Sequence, residues 1–231
     1  MRQKKRSVKQ KMAGLPKFIA AIILVFSICP AYAYDNHDFQ VWNTDAEEVR
    51  LNKSSKLTFE QEFRWGDNAS DFFYQHYDQS YVYLLNKYFN FGGGFRYVKE
   101  KKNDKFRDEA EPYFVTFTYW DLAGFKFSDR NRLEYRYFDY QASFWRFRNK
   151  LDIKLPWKFT RFEIQPMIAD EIFLKLHGIN LNENRLYAGF AFSLTRNLRG
   201  ELCYIFKTSK NSGTCTWNDT NVLNAKLKLA L

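Results

Sequence analysis

Residues 129–155, DRNRLEYRYFDYQASFWRFRNKLDIKL, decide the fold, because charged and apolar side chains alternate along most of their length. Successive side chains of a β-strand point to opposite faces, so each alternating run puts its charges on one face and its apolar residues on the other. A short break in the middle divides the stretch into two strands. The charged face carries nine residues: Arg130, Arg132, Glu134, Arg136, Arg146, Arg148, Lys150, Asp152 and Lys154. A wall that is charged on one side and apolar on the other separates two different solvents.

The same alternation recurs along the chain. It is clearest in residues 57–65, 109–119, 185–194 and 201–206. Apart from the shorter 201–206, these segments run 9 to 11 residues, longer than the ~5 to 6 of soluble sheets and about the length with which a tilted strand crosses a bilayer. The pattern therefore predicts an all-β fold, namely an antiparallel up-and-down transmembrane β-barrel.

The pattern predicts the number of strands less directly than the fold. Eleven segments are found, the first beginning near Phe39, whereas single-chain bacterial barrels close with an even number. A break of residues 39–51 near Asp45 would give about 12 strands, which we prefer, and the loss of one segment would give 10.

The N-terminus is typical of a secretory signal peptide. Seven basic residues and no acidic residue precede an apolar run at 18–28 and the tripeptide Ala31-Tyr32-Ala33. We expect residues 1–33 to be removed and residues 34–231 to form a single barrel domain. Of 36 Lys and Arg against 26 Asp and Glu, the mature chain keeps 29 against 26, a net charge of +3. These charges are mixed in sign along the strands, which argues against nucleic acid as a partner.

The connections and tryptophans suggest an orientation. Tight turns such as 52–55 and 156–159 alternate with longer polar stretches such as 99–108 and 208–220, and long loops face outward in outer-membrane barrels. Tryptophan is favoured at the headgroup level of a membrane, and five tryptophans lie near strand ends or in turns: Trp42, Trp65, Trp120, Trp145 and Trp157.

Energetics decide which face of the wall meets lipid. An Arg or Lys on the lipid side costs on the order of 2 to 4 kcal/mol near the midplane, so the charges are expected in the lumen and Tyr135, Phe147 and Ile153 on the lipid side. The predicted lumen ladder, structural or permeation-related, comprises Glu60, Glu62, Arg64, Arg130, Arg132, Glu134, Arg136, Arg146, Arg148, Glu163, Glu171, Arg185 and Glu201. A secreted, soluble, lipocalin-like barrel is the alternative fold, with the apolar faces turned inward.

Several motifs together resemble the bacterial domain-of-unknown-function family numbered 2490. They are RNRLEYR at 130–136, RFR at 146–148, EIF at 171–173 and NRLYAG at 184–189, and Trp42 and residues 57–64 fit as well. The resemblance covers nearly all of the mature chain. It implies an exported outer-membrane β-barrel, and it implies no activity and no catalytic or binding residue.

Candidate chemistry is sparse. His76, Asp78 and Ser80 share one strand face, but positions four apart lie about 13 Å from each other, so His76 does not reach Ser80 as a hydrolytic triad requires. His37 and His177 have no neighbour at metal-ligand spacing, so neither a metal nor a cofactor is expected. Cys203 and Cys215 remain after export through an oxidising periplasm, and a disulfide between them is left open.

These observations support a non-enzymatic outer-membrane barrel, either a narrow porin-like pore or a structural barrel with a charge-filled lumen. A lipid- or polysaccharide-modifying enzyme with a site at the rim, using His76 or His177, is the alternative. A weaker alternative is adhesion through the 99–108 and 208–220 loops. The expected location is the outer membrane of a Gram-negative bacterium, and the expected partners are outer-membrane lipids, lipopolysaccharide and the barrel-assembly machinery. The sequence does not specify an oligomeric state.

Overall fold

The computed structural model describes residues 37–210 and 216–231, which form a closed barrel of eleven strands. Strand order around the barrel follows the order in the chain. The strands are β1 (Asp38–Asn52), β2 (Ser55–Gly66), β3 (Asp71–Leu84), β4 (Phe89–Lys102), β5 (Lys105–Leu122), β6 (Phe125–Phe138), β7 (Phe144–Lys154), β8 (Gln165–Lys175), β9 (Asn180–Ser193), β10 (Leu198–Lys210) and β11 (Trp217–Ala230). No helix in these described ranges is long and apolar enough to cross a membrane.

The alternation in the sequence becomes the two faces of the wall. On β6, Arg132 and Glu134 are buried in the lumen, whereas Leu133 between them is exposed on the outer face. Large apolar side chains cover the outside, and Phe114 is 71% exposed. A lipocalin-like barrel would instead bury such residues in an apolar core.

The strand count differs from the expected 12 or 10. Residues 39–51 do not break near Asp45 but belong to one continuous strand, in which Asp45 pairs with Gln61 of β2 and Leu227 of β11. Because an odd number of up-and-down strands leaves the first and last pointing the same way, β1 and β11 close the barrel in parallel. Every other pair of neighbouring strands is antiparallel.

The expected contrast between tight turns and long loops is wrong. The 99–108 stretch is mostly strand, and only Asn103 and Asp104 connect β4 to β5, with φ of 50° and 59°. Two consecutive positive φ values are typical of a type I′ hairpin turn, which asparagine and aspartate tolerate. Conversely, the turn expected at 156–159 lies inside the longer connection 155–164. Connection length therefore does not orient the barrel, and we call the end where β1 begins the upper end and the opposite end the lower end.

Candidate functional site

A layer of paired charges fills the middle of the lumen. The buried side chains there include six guanidinium groups and six carboxylates. The guanidinium groups belong to Arg64, Arg96, Arg132, Arg146, Arg148 and Arg185, and the carboxylates belong to Glu62, Asp78, Glu109, Glu111, Glu134 and Glu171. We call these twelve residues the ionic layer. Its formal charges cancel, which is the condition under which burying many ions is tolerable.

Glu134 is one centre of the ionic layer. Its side chain is fully buried, and its oxygens lie 2.9 Å from Arg132 Nε and 3.5 Å from Arg148 Nη1. Arg146 also pairs with it from β7. Because these residues lie on β6 and β7, the alternation that opens the sequence directs them toward one another.

Glu171 on β8 is a second centre. It accepts hydrogen bonds from Arg130 at 2.7 Å, from Arg148 at 2.9 Å and from the Tyr187 hydroxyl at 2.8 Å. Arg148 thus links the two centres, because its guanidinium contacts both Glu134 and Glu171.

Asp78 extends the layer across the barrel. Arg96 Nε on β4 donates to it at 2.9 Å, and Arg132 Nη1 on β6 donates at 3.1 Å. The Tyr113 hydroxyl donates to the other oxygen of Asp78. Side chains from four consecutive strands, β3 to β6, therefore converge on Asp78.

Aromatic rings fill the space between the charges. The Arg64 guanidinium lies 3.7 Å from the Trp42 ring and 3.9 Å from the Tyr74 ring, and Arg132 lies 3.4 Å from the Tyr113 ring. Such cation–π contacts stabilise desolvated guanidinium groups. Trp42 is only 2% exposed, so the expectation that it lies at a membrane interface is wrong for this tryptophan.

Rings also narrow the upper end. Phe138 packs on Tyr140 and Phe144, and Arg136 lies beneath them, 4.8 Å from the Phe138 ring. Tyr140 belongs to the connection between β6 and β7, and partial burial raises the pKa of its hydroxyl to about 12.

Lysines rather than arginines line the lower part of the lumen. Lys56 and Lys228 share Glu48 at 2.8 Å and 2.7 Å, Lys226 pairs with Glu60 at 2.7 Å, and Lys154 pairs with Glu201 at 3.2 Å. A cavity of about 80 Å³ lies between these residues and the ionic layer. That volume is far below the ~300 to 1,000 Å³ of typical ligand sites.

The structure places twelve of the thirteen residues of the predicted lumen ladder on the inner face of the wall. They are Glu60, Glu62, Arg64, Arg130, Arg132, Glu134, Arg136, Arg146, Arg148, Glu171, Arg185 and Glu201. Glu163 does not line the lumen. It lies in the 155–164 connection and pairs with Lys158 at 2.9 Å, because that connection is longer than the turn expected from the sequence.

Other residues of the ionic layer were missed, above all Asp78, Arg96, Glu109 and Glu111. The signal was present on β5, where Glu109 and Glu111 share a face with Tyr113, Val115 and Phe117. Because those apolar residues also point into the lumen, the sequence pattern of this face does not indicate a row of lumen charges. Only the register with β4 and β6 identifies it as the inner face.

No catalytic arrangement forms around the histidines. The His76 ring contacts the Tyr74 hydroxyl at 3.2 Å and Glu60 at 3.3 Å inside the lumen, and it is 1% exposed. His76 is therefore not a rim residue. His177 lies on the exposed connection between β8 and β9. Within the ranges described, no group of three or more His, Cys, Asp or Glu residues is placed to hold a metal ion.

Cys203 lies on the inner face of β10, with its Sγ 3.9 Å from Met167 Sδ. Cys215 lies outside the described residues, so the disulfide between the two stays a prediction. The proposed signal peptide, residues 1–33, lies outside them as well.

The fold and the lumen define a closed all-β barrel with an ionic interior and an apolar exterior. The chain belongs to the family described as protein of unknown function (DUF2490), whose model matches residues 39–219. No curated protein matches the chain. The resemblance inferred from the sequence motifs is thus confirmed at the level of the family.

Proposed function

We propose that this protein is an outer-membrane barrel with a closed lumen, a non-enzymatic membrane protein that does not conduct in its resting state. The observation that carries the proposal is the ionic layer, in which six guanidinium groups and six carboxylates are buried against one another across the lumen. An open porin would instead hydrate these charges along a water-filled path.

The outer face supports a membrane location. Large apolar side chains stay exposed in the middle of the strands, among them Phe114 at 71%, Ile168 at 49% and Leu186 at 49%. Soluble monomers rarely expose extended apolar surfaces, because water disfavours them. The surrounding partners are then outer-membrane lipids and lipopolysaccharide, reached after export by the signal peptide and insertion by the barrel-assembly machinery of a Gram-negative bacterium.

The lumen supports closure rather than catalysis or transport. The carboxylates of the ionic layer are paired with arginines of the wall, so they need no permeating cation to neutralise them. The cavity below it is small for a substrate, and His76, one of the two residues that motivated a rim-located enzyme, is inside the barrel. This geometry supports a structural role of the filled barrel.

Planar-bilayer recording tests the proposal. Purified protein should insert without producing stepwise conductance; its folding is checked by the altered gel mobility of folded barrels, and its insertion by flotation with lipid vesicles. The double variant Arg132→Ala, Glu134→Ala removes one cation and one anion from the layer, so it should produce conductance if it keeps the fold. The matched control, Leu133→Ala, changes the residue between them on the outer face and should stay silent. Steady conductance by the unmodified protein would refute closure and favour the narrow pore.

A further inference from the structure

We infer that the outer face of β1, β2 and β3 is the surface through which two copies of this chain associate side by side in the membrane. The inference rests on the proposed membrane location and adds a partner to it. The surface is defined by six outward-facing polar residues and is called the β1–β3 patch. They are Asn43, Asp45, Glu47, Gln61, Gln75 and Gln79.

The orientation of the patch follows from strand alternation. Trp42 and Thr44 of β1 are buried in the lumen, so Asn43 and Asp45 point outward. The same alternation with Glu62 on β2 and Asp78 on β3 directs the glutamines outward.

A hollow of about 460 Å³ lies in the patch. Asp45, Glu47, Gln61 and Gln79 are the outward-facing polar residues of its lining, and aromatic side chains border it. Those aromatic residues are Phe59, Tyr77, Phe95 and Tyr97.

The polar groups of the patch are unsatisfied within the described chain. None of the six side chains has a hydrogen-bond or ion-pair partner among residues 37–210 and 216–231. At two other places on the outer wall polar groups bond one another: Asn149 donates to Asp129 at 2.6 Å, and Asn184 donates to Asp170 at 2.6 Å. Unsatisfied polar groups are costly in hydrocarbon. The patch therefore needs a partner that carries hydrogen-bonding groups into the membrane.

The arrangement of these groups fits a second copy. The carboxylates of Asp45 and Glu47 lie on β1, and the amide of Gln79 lies on β3. Gln61 lies on β2, the strand between them. Two copies in one membrane share an orientation, so the two-fold axis of a dimer runs along the membrane normal. An axis in front of β2 places β1 of each copy against β3 of the other.

Across such an axis the groups are complementary. The Gln79 amide of one copy can donate to the Asp45 and Glu47 carboxylates of the other, and the two Gln61 side chains meet at the axis. Amide donors to carboxylates make charge-assisted hydrogen bonds. The carboxylates of the two copies lie on opposite sides of the axis, which keeps the like charges apart.

Cysteine cross-linking in isolated outer membranes tests the dimer. In a background with Cys203→Ala and Cys215→Ala, Gln61→Cys should form a disulfide-linked product of twice the monomer mass on oxidation. Co-expressed copies carrying Asp45→Cys and Gln79→Cys should cross-link to each other. The control Leu133→Cys, on the outer face of β6, should remain monomeric. A Gln61→Cys barrel that stays monomeric, or that links to a protein of different mass, overturns the inference.

A second test replaces polar residues of the patch by apolar ones and measures whether the barrel becomes more stable or associates less. If the patch faces lipid, Gln61→Leu with Gln79→Leu should stabilise the barrel and leave its association state unchanged, which contradicts a dimer. In an interface the same change removes hydrogen bonds, so the association constant in detergent micelles should fall about tenfold by sedimentation equilibrium. Absence of the protein from the outer-membrane fraction would refute the proposed function. A folded monomer within that fraction would refute only the dimer.

Discussion

At the scale of single residues, the ionic layer uses arginine rather than lysine as its cation. The buried cations of the ionic layer are all arginines, whereas lysines lie at the lower end beside Glu48, Glu60 and Glu201. A guanidinium presents several donors in a fixed plane and can bridge two carboxylates, as Arg148 bridges Glu134 and Glu171. Lysine is a compact charge on a flexible stem, which suits the partly hydrated part of the lumen.

Removing the charge of Glu134 should destabilise the barrel strongly. The Glu134→Gln change leaves Arg132, Arg146 and Arg148 with one carboxylate fewer in a buried site, which costs about 3 to 5 kcal/mol. The measurement is the urea midpoint of unfolding from lipid vesicles. The control Glu163→Gln removes an exposed partner of Lys158 and should change the stability by less than about 1 kcal/mol. Equal losses of stability in the two variants would contradict a stabilising role of the buried ion pairs of the ionic layer.

Gly94 should not tolerate a side chain. A Cβ atom there would lie 2.5 Å from the Tyr113 ring and 2.5 Å from the Gln79 carbonyl oxygen. We expect Gly94→Ala to cost about 1 to 3 kcal/mol through overpacking. At Gly93, which faces outward, the nearest atom to an added Cβ is 3.2 Å away, so Gly93→Ala is the matched control and should cost less. Comparison of the two urea midpoints checks the prediction, which fails if Gly93→Ala is the worse variant.

At the scale of elements, the distinctive feature is the parallel closure between β1 and β11. Parallel pairs are slightly less stable per residue than antiparallel pairs. The pairing nevertheless runs from Asp38 opposite Thr220 to Glu48 opposite Ala230 without a register shift. Because this pairing is continuous and does not break at Asp45, β1 is one strand rather than two. The barrel therefore has eleven strands.

The direction of this pairing can be tested with two cysteine pairs. The register places Val41 beside Leu223 and Glu47 beside Leu229, six residues further along both strands. With Cys203 and Cys215 replaced by alanine, both the 41/223 pair and the 47/229 pair should cross-link in folded protein. An antiparallel arrangement allows at most one of them, so cross-linking of a single pair would exclude the parallel closure. Mobility of the oxidised barrel on a denaturing gel is the readout.

At the scale of the whole molecule, the odd number of strands places the start of β1 and the end of β11 at opposite ends of the barrel. β1 begins at the upper end, and β11 ends at the lower end. An even number of strands would return both to the same side. If the barrel spans a membrane as proposed, the accessibility of these two ends reports its orientation.

Epitope tags should report this separation. A tag placed directly before Asp38 and a tag placed after Leu231 are expected on opposite sides of the membrane. Antibody labelling of intact cells should detect one of the two, and both should be labelled after permeabilisation. Labelling of both tags on intact cells, or of neither, would contradict an eleven-stranded membrane barrel.

The sequence by itself determined the class of fold, the family and the two faces of most strands. A period of two fixes which side chains share a face, so the outward positions of Tyr135, Phe147 and Ile153 follow from local order alone. Register and closure depend on contacts between distant segments, and only the tertiary structure decided them. It therefore set the strand number, assigned the inner face of β5 and removed Glu163 from the lumen. The contacts of the ionic layer were decided in the same way, because Asp78 and Arg132 lie on β3 and β6, which are not adjacent strands and whose side chains meet only because the sheet curves.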